Sequence, residues 1–178
     1  MTLAYGIDPS TNTGIVGLDE QGNVIEQVEL VLDKGIDATP KEIWDYASKI
    51  VGLIPEASVI AIEAFSFGSK GQAVSTQYGI GFAIRFQLLH KGFKIHEPTP
   101  TQVKKFATGK GAVDKANMVL PIFKKWSFEH ESDNVRDAFV LAQIARSVQS
   151  GITNTKYEEE VLKAILEGPR PKTKKKRS

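Results

Sequence analysis

Cysteine is absent from the 178 residues, which excludes a disulfide framework, a thiolate metal site and a thiol nucleophile. No apolar run approaches the roughly 18 residues that a membrane-crossing helix requires. The opening MTLAYGIDPS lacks the basic-then-apolar order of a secretory signal. Histidine is scarce, and His90, His96 and His130 show no metal-ligand spacing. There is no internal repeat. These absences lead us to expect a cytoplasmic protein with no membrane partner, whose chemistry rests on oxygen and amine side chains.

What is present is ordinary globular material, 41% apolar and 25% charged, in a length that suits one core burying roughly 70% of the unfolded surface. The net charge of +2 hides an asymmetry. Six of the 23 basic residues lie in 169–178, and without them 17 basic residues face 21 acidic ones. We therefore expect a mildly acidic domain over 1–168 and a basic disordered tail over 169–178. Within the domain, residues 101–125 hold Lys104, Lys105, Lys110, Lys115, Lys124 and Lys125 against the single acid Asp114. Positive charge gathered in two places suits a polyanionic partner; the plainer alternative is a solvated lysine face and a solubilising tail.

Residues 3–7 and 14–18 read as strands separated by the turn formers of DPSTNT, and partial alternation over 24–32 predicts a third strand. Thr39-Pro40 opens an amphipathic helix that runs toward Pro55. Residues 59–62 form a buried-strand run ending in Glu63, 70–91 read as helix, and 93–95 as a short last strand. Further helices are predicted after Thr99, from Asp114 to about Lys125 with a kink at Pro121, from a cap at Ser132 or Asp133 to Val148, and over 156–166. The order β-β-β-α-β-α-β-α fits an α/β fold in which an antiparallel meander continues into parallel strands flanked by helices.

Acids far apart in the chain fall at element ends. Asp8 closes the first strand, Glu63 the fourth, and Asp133 and Asp137 stand at i and i+4 on a late helix. If the first and fourth strands are parallel neighbours, these carboxylates converge. Without lysine partners they would repel, and the simplest compensation is a divalent cation held by oxygen ligands. Each acid also has a structural reading: a turn at Asp8-Pro9-Ser10, a helix cap at Asp133, an exposed strand end at Glu63.

Four stretches, GIDPSTNTG at 6–14, IAIE at 60–63, VKK to GKGAVDKA at 103–116, and DNVRDA at 133–138, together resemble the RuvC-type Holliday junction resolvases, of the phage kind. The resemblance implies an RNase H-like five-stranded mixed sheet, a homodimer in a bacterial or phage-infected cell, and Mg²⁺-dependent nicking of branched DNA. Two Mg²⁺ per site are implied, with Mn²⁺ able to substitute. Carried over by position, Asp8, Glu63 and Asp137 become metal ligands, and Lys104 and Lys115 become DNA or active-site lysines. Where the family places an acid or histidine, three residues before its last aspartate, this chain has Asn134, so either Asp133 or Asn134 fills that corner.

Lys115 is a candidate to offset charge on the phosphate, while Lys104, Lys105 and Lys110 are candidates for phosphate contacts. Phe65 and Phe67 follow Glu63 closely and could stack on unpaired bases at a crossover, or could simply be core. The small residues of YGIGFAI, 78–84, would suit a dimer face or internal packing. Two other classes remain open. One is a non-catalytic branched-DNA binding module, which would bind without metal. The other is an actin or sugar-kinase-like ATP-binding domain, disfavoured because the turn after Asp8 offers Pro9 and Ser10 where glycines would admit phosphate.

Overall fold

The structure is a computed structural model that describes residues 2–65 and 73–168; Phe67 and the basic segment 169–178 lie outside the described residues. Strands β1 (Ala4–Asp8), β2 (Asn12–Leu18) and β3 (Val24–Val31) form an antiparallel meander. Strand β4 (Val59–Ile62) then pairs parallel with β1, and β5 (Lys94–His96) parallel with β4, giving the order β3-β2-β1-β4-β5. This is the mixed sheet that the sequence predicts.

Helices cover both faces, so the central strands are buried on each side. Tyr5, Ile7, Ile15, Ile60 and Ile62 pack against α1 (Pro40–Gly52) and α2 (Ala73–His90). Ala4, Val16, Leu18 and Ala61, one residue out of phase, pack against α3 (Pro100–Thr108), α5 (Asp133–Ser150) and α6 (Lys156–Glu167). α1, α3 and α6 each begin with a reciprocal capping box, at Thr39–Glu42, Thr99–Gln102 and Thr155–Glu158, which satisfies two otherwise orphaned N–H groups apiece.

Two local expectations need correction. The segment after Asp114 is a 3-10 turn over Lys115–Met118, with no capping bond from the Asp114 side chain, followed by α4 (Val119–Trp126). Pro121 therefore does not kink a long helix; it lies in the first turn of α4, where proline is well tolerated. The cap of α5 is Ser132, whose hydroxyl accepts from the Val135 N–H at 3.3 Å, so Asp133 is freed from that role.

The helix α5 lies unusually close to the sheet. A Cβ at Gly6 would come within 2.0 Å of the Ala138 carbonyl oxygen and 2.3 Å of the Ala142 nitrogen, and one at Gly14 within 2.1 Å of the Asn134 carbonyl oxygen. Only hydrogen fits between strand and helix there. Gly6→Ala should accordingly cost at least about 3 kcal/mol, because backbone rather than a mobile side chain must yield. Gly52→Ala, at a helix end with nothing within 4 Å, should be neutral or gain about 0.5 kcal/mol. Urea unfolding of the two variants checks the contrast.

Candidate active site

Alternation along β1 turns Asp8 to the same face as Ala4 and Gly6, toward α5, and Glu63 follows Ala61 on that face of β4. The Glu63 N–H donates to the Ile7 carbonyl at 3.1 Å, extending the parallel pairing one residue past the ladder and setting Glu63 beside Asp8. Asp137, one turn into α5, reaches the same place because the helix sits against Gly6 and Gly14. Asp8, Glu63, Lys115 and Asn134 line a cleft of about 460 Å³ at the carboxyl ends of β1 and β4.

The electrostatics record how near the acids are. Burial, then the charges of Glu63 and Asp137, hold the Asp8 carboxyl well above its usual range. Burial, then Asp137, pushes Glu63 up to about 7. Neither carboxylate has a hydrogen-bond or ion-pair partner among the described residues. Lys115, by contrast, is engaged twice, its Nζ lying 3.0 Å from Asp133 Oδ2 and 2.9 Å from Asp137 Oδ2. Burial works against its charge, but the two carboxylates and Asp8 outweigh that and raise its pKa; the bond from Lys115 in turn lowers Asp133. The expectation of acids converging without a lysine partner is thereby corrected.

Among the described residues no three Asp, Glu or His side chains are gathered tightly enough to enclose an ion. The donor chemistry nevertheless fits a hard divalent cation such as Mg²⁺ or Mn²⁺: the groups are all oxygen, and Asp8, buried, and Glu63, half-buried, are both unpartnered and penalised by like charge. Asn134 lines the cleft. Its Nδ2 donates to Glu29 Oε1 at 2.7 Å, and the Ser132 hydroxyl donates to the same oxygen at 2.8 Å. That leaves the side-chain oxygen Oδ1 of Asn134 as the atom available to a ligand. Asp133 is half-exposed and held to Lys115.

The remaining candidates separate. Lys104 is near enough to Glu63 to act on its charge, and Lys110 is exposed beyond the end of α3. Lys105 is drawn to Glu160 of α6 at 2.8 Å, and Lys125 is taken inward by the buried Glu158, so the lysine cluster is partly spent inside the protein. Phe65 lines the cleft and packs on Tyr78 and Phe82, with ring centroids 5.1 and 4.7 Å away.

Several supporting residues escape the sequence reading. Glu29 carries no local signal. Tyr46, on the apolar face of α1, pins the turn after Asp8: its hydroxyl accepts from the Thr13 N–H at 3.0 Å and donates to the Leu30 carbonyl at 2.6 Å. Arg85 did leave a signal, a lone charge inside the apolar run IGFAIRFQLL.

Neither a protein-family model nor a curated protein matches this sequence. Solved structures do match its fold. Thermus thermophilus RuvC in complex with a Holliday junction substrate is 18% identical with a TM-score of 0.61, over 80% of this chain and 91% of that one. A second Thermus thermophilus RuvC structure is 18% identical with a TM-score of 0.59, over 84% and 97%. The yeast mitochondrial Holliday junction resolvase is 15% identical with a TM-score of 0.51, over 89% and 79%. At these identities the likeness is one of fold, and the fold is the RNase H-like α/β architecture of these proteins.

The raised carboxyls make metal-free stability depend on pH. A folded pKa above the unfolded one favours the protonated fold, so the stabilisation from Glu63 is complete below its ordinary 4.5 and lost as pH rises through about 7. In chelator, the melting temperature should fall by several degrees between about pH 5 and about pH 8, with Mg²⁺ restoring it at the upper end. Asp8→Asn removes one buried charge and should melt higher than wild type in chelator at about pH 8, with no gain from Mg²⁺. A wild type that stiffens with rising pH, or a variant still stabilised by Mg²⁺, would contradict the account.

Proposed function

We propose that this chain is a divalent-metal-dependent endonuclease that nicks branched DNA, resolving Holliday junctions and acting on other branches such as forks and flaps, as a homodimer. The observation that carries the reading is that Asp8 and Glu63 line one cleft with Lys115 while the charge of Asp137 acts on both, on a fold whose solved neighbours are Holliday junction resolvases. Asp8, Glu63 and Asp137 would hold Mg²⁺, or Mn²⁺ in its place, with Asp133 or the side-chain oxygen Oδ1 of Asn134 completing the set. Bound there, two ions would supply the charge that favours attack by water and departure of the 3′ oxygen.

The chain's own residues orient and screen. The charges of both Glu63 and Asp137 act on Asp8, which makes it the central carboxylate of the set that would hold the ions. Lys115, once Asp133 and Asp137 no longer need it as counter-ion, offers an ammonium to the phosphate under attack. Lys104 and Lys110 neutralise phosphates along the arms, and the basic residues of 169–178 add affinity that is blind to sequence. Phe65 offers a ring at the cleft for an unpaired base, and Phe67 is proposed for the same role on sequence grounds alone.

Two symmetric nicks call for two copies. On α2, Phe82, Phe86 and Leu89 recur at i, i+4 and i+7 and are 45%, 59% and 55% exposed, with Trp44 of α1 54% exposed. Such an apolar stripe suits a second copy of the chain. No helix of the described residues is long and apolar enough to cross a membrane, so a bilayer-spanning role for it is set aside.

Asp8→Asn and Glu63→Gln keep side-chain shape while removing the charge that would hold the ions. Each should reduce nicking of end-labelled four-way junctions in Mg²⁺ by at least about 100-fold, with gel-shift affinity in Ca²⁺ unchanged within about threefold. Wild-type binding with no nicking in Mg²⁺ or Mn²⁺ would make the chain a junction-binding module. Phe86→Glu should convert a dimer to a monomer by light scattering and abolish paired nicking; a dimer that survives it places the interface elsewhere.

A further inference from the structure

Arg85 is the one charged side chain that the folding of α2 places in the interior, 5% exposed, and nothing in the chemistry described above uses it. Its guanidinium is spent on four groups at once. Nε faces Glu97 Oε1 at 2.6 Å, Nη1 donates to the Gly81 carbonyl at 3.0 Å, and Nη2 donates to the Glu63 carbonyl at 2.8 Å. Its guanidinium carbon lies over the Phe65 ring, 4.2 Å from the ring centroid. Gly81 makes room for that stack, since a Cβ there would meet the Phe65 ring at 2.4 Å.

These contacts bear on the cleft through the backbone. Glu63 is the first residue past the β4 ladder, where a chain would ordinarily fray, yet its N–H is bonded to Ile7 and its C=O to Arg85. The next residue is held too, by Ala64 N–H to the Pro98 carbonyl at 2.9 Å. Both flanks of the carboxylate are therefore tied down, one to β1 and the other to α2 and the loop before α3. We infer that Arg85 is a positioning residue: it fixes the strand end that carries Glu63 and the ring of Phe65 in one rigid unit, so that the metal-holding carboxylate and the base-stacking surface keep a constant separation.

The inference rests on the nuclease reading but goes beyond it, and the type of side chain matters. A planar fork can reach a carboxylate and two carbonyls in three directions while its face accepts a ring. A lysine ammonium keeps the charge and satisfies at most part of this. Glu97 is 47% exposed at its side chain, so it can be altered without opening the core.

Arg85→Lys and Glu97→Gln are the variants, each compared with wild type by thermal melting, by calorimetric titration with Mn²⁺ alone, by junction affinity in Ca²⁺, and by nicking across a metal titration. Positioning predicts that the Mn²⁺ dissociation constant and the metal concentration for half-maximal nicking both rise at least fivefold in Arg85→Lys, and in the same direction but less in Glu97→Gln. Junction affinity should change less than threefold. Normal Mn²⁺ affinity in Arg85→Lys overturns the inference whether or not the wild type cuts DNA. A wild type that binds Mn²⁺ but never nicks overturns the nuclease reading and leaves the calorimetric comparison standing. If Arg85→Lys does not fold, Glu97→Gln decides alone, and unchanged Mn²⁺ affinity there counts against the proposal.

Discussion

The seating of α5 on the first two strands is the contact from which the rest of the site follows. A helix packed on a sheet through ordinary side chains stands about 10 Å away, too far for a carboxylate in its first turn to meet one at a strand end without a long side chain. Hydrogen atoms at Gly6 and Gly14 remove that spacer, and the backbone of α5 comes down against the strands at Ala138 and Asn134. Asp137, with only a short side chain, can then act on the charge of Asp8. The same approach brings Asn134 over β2, where Glu29 of the neighbouring strand can hold its amide. Packing, and not any property of the acids, decides that they meet.

Once they meet, they are costly to keep. Buried carboxyls in mutual view are driven toward protonation, and a fold would ordinarily dispose of such a group by pairing it. Here the pairing is partial. Lys115 neutralises Asp133 and Asp137 from the 3-10 turn that precedes α4, while Asp8 and Glu63 are left with the deficit. That distribution leaves Asp8 and Glu63 facing like charge with no ion-pair partner of their own among the described residues. A group of fully paired acids would have been more stable and chemically idle.

The fold was legible because its signals are local and mutually consistent. The apolar runs of β1 and β2 parted by turn formers, the Thr-Pro starts of α1 and α3, and the capping residue at the start of α5 each state one element in a few adjacent residues. Where the expectation failed, two local rules competed. Asp114 is a good cap and Pro121 a good kink, but the lysine after Asp114 is pulled to α5, the segment tightens into a 3-10 turn, and α4 restarts so that Pro121 falls in its first turn. The lysines of 101–125 show the same limit. Their clustering is visible in the chain, yet Lys105 and Lys125 answer to Glu160 and Glu158 of α6, more than thirty residues away.

The sequence by itself determined the order of strands and helices, the two apolar phases that bury the sheet on both faces, the oxygen-only donor chemistry, and the placement of Asp8, Glu63 and Asp137 at the ends of their elements. Those follow from periodicity and residue type, which act over one or two turns of chain. Only the tertiary structure decided that Asp8 and Glu63 line one cleft with the charge of Asp137 acting on both, that Lys115 pairs with Asp133 and Asp137, that Asn134 faces the cleft while Asp133 faces the lysine, and that Arg85 ties Glu63 to Phe65. Each of these depends on which backbone carbonyl or side chain lies within about 3 Å across elements distant in sequence, and such proximity is set by how closely helices can approach a sheet.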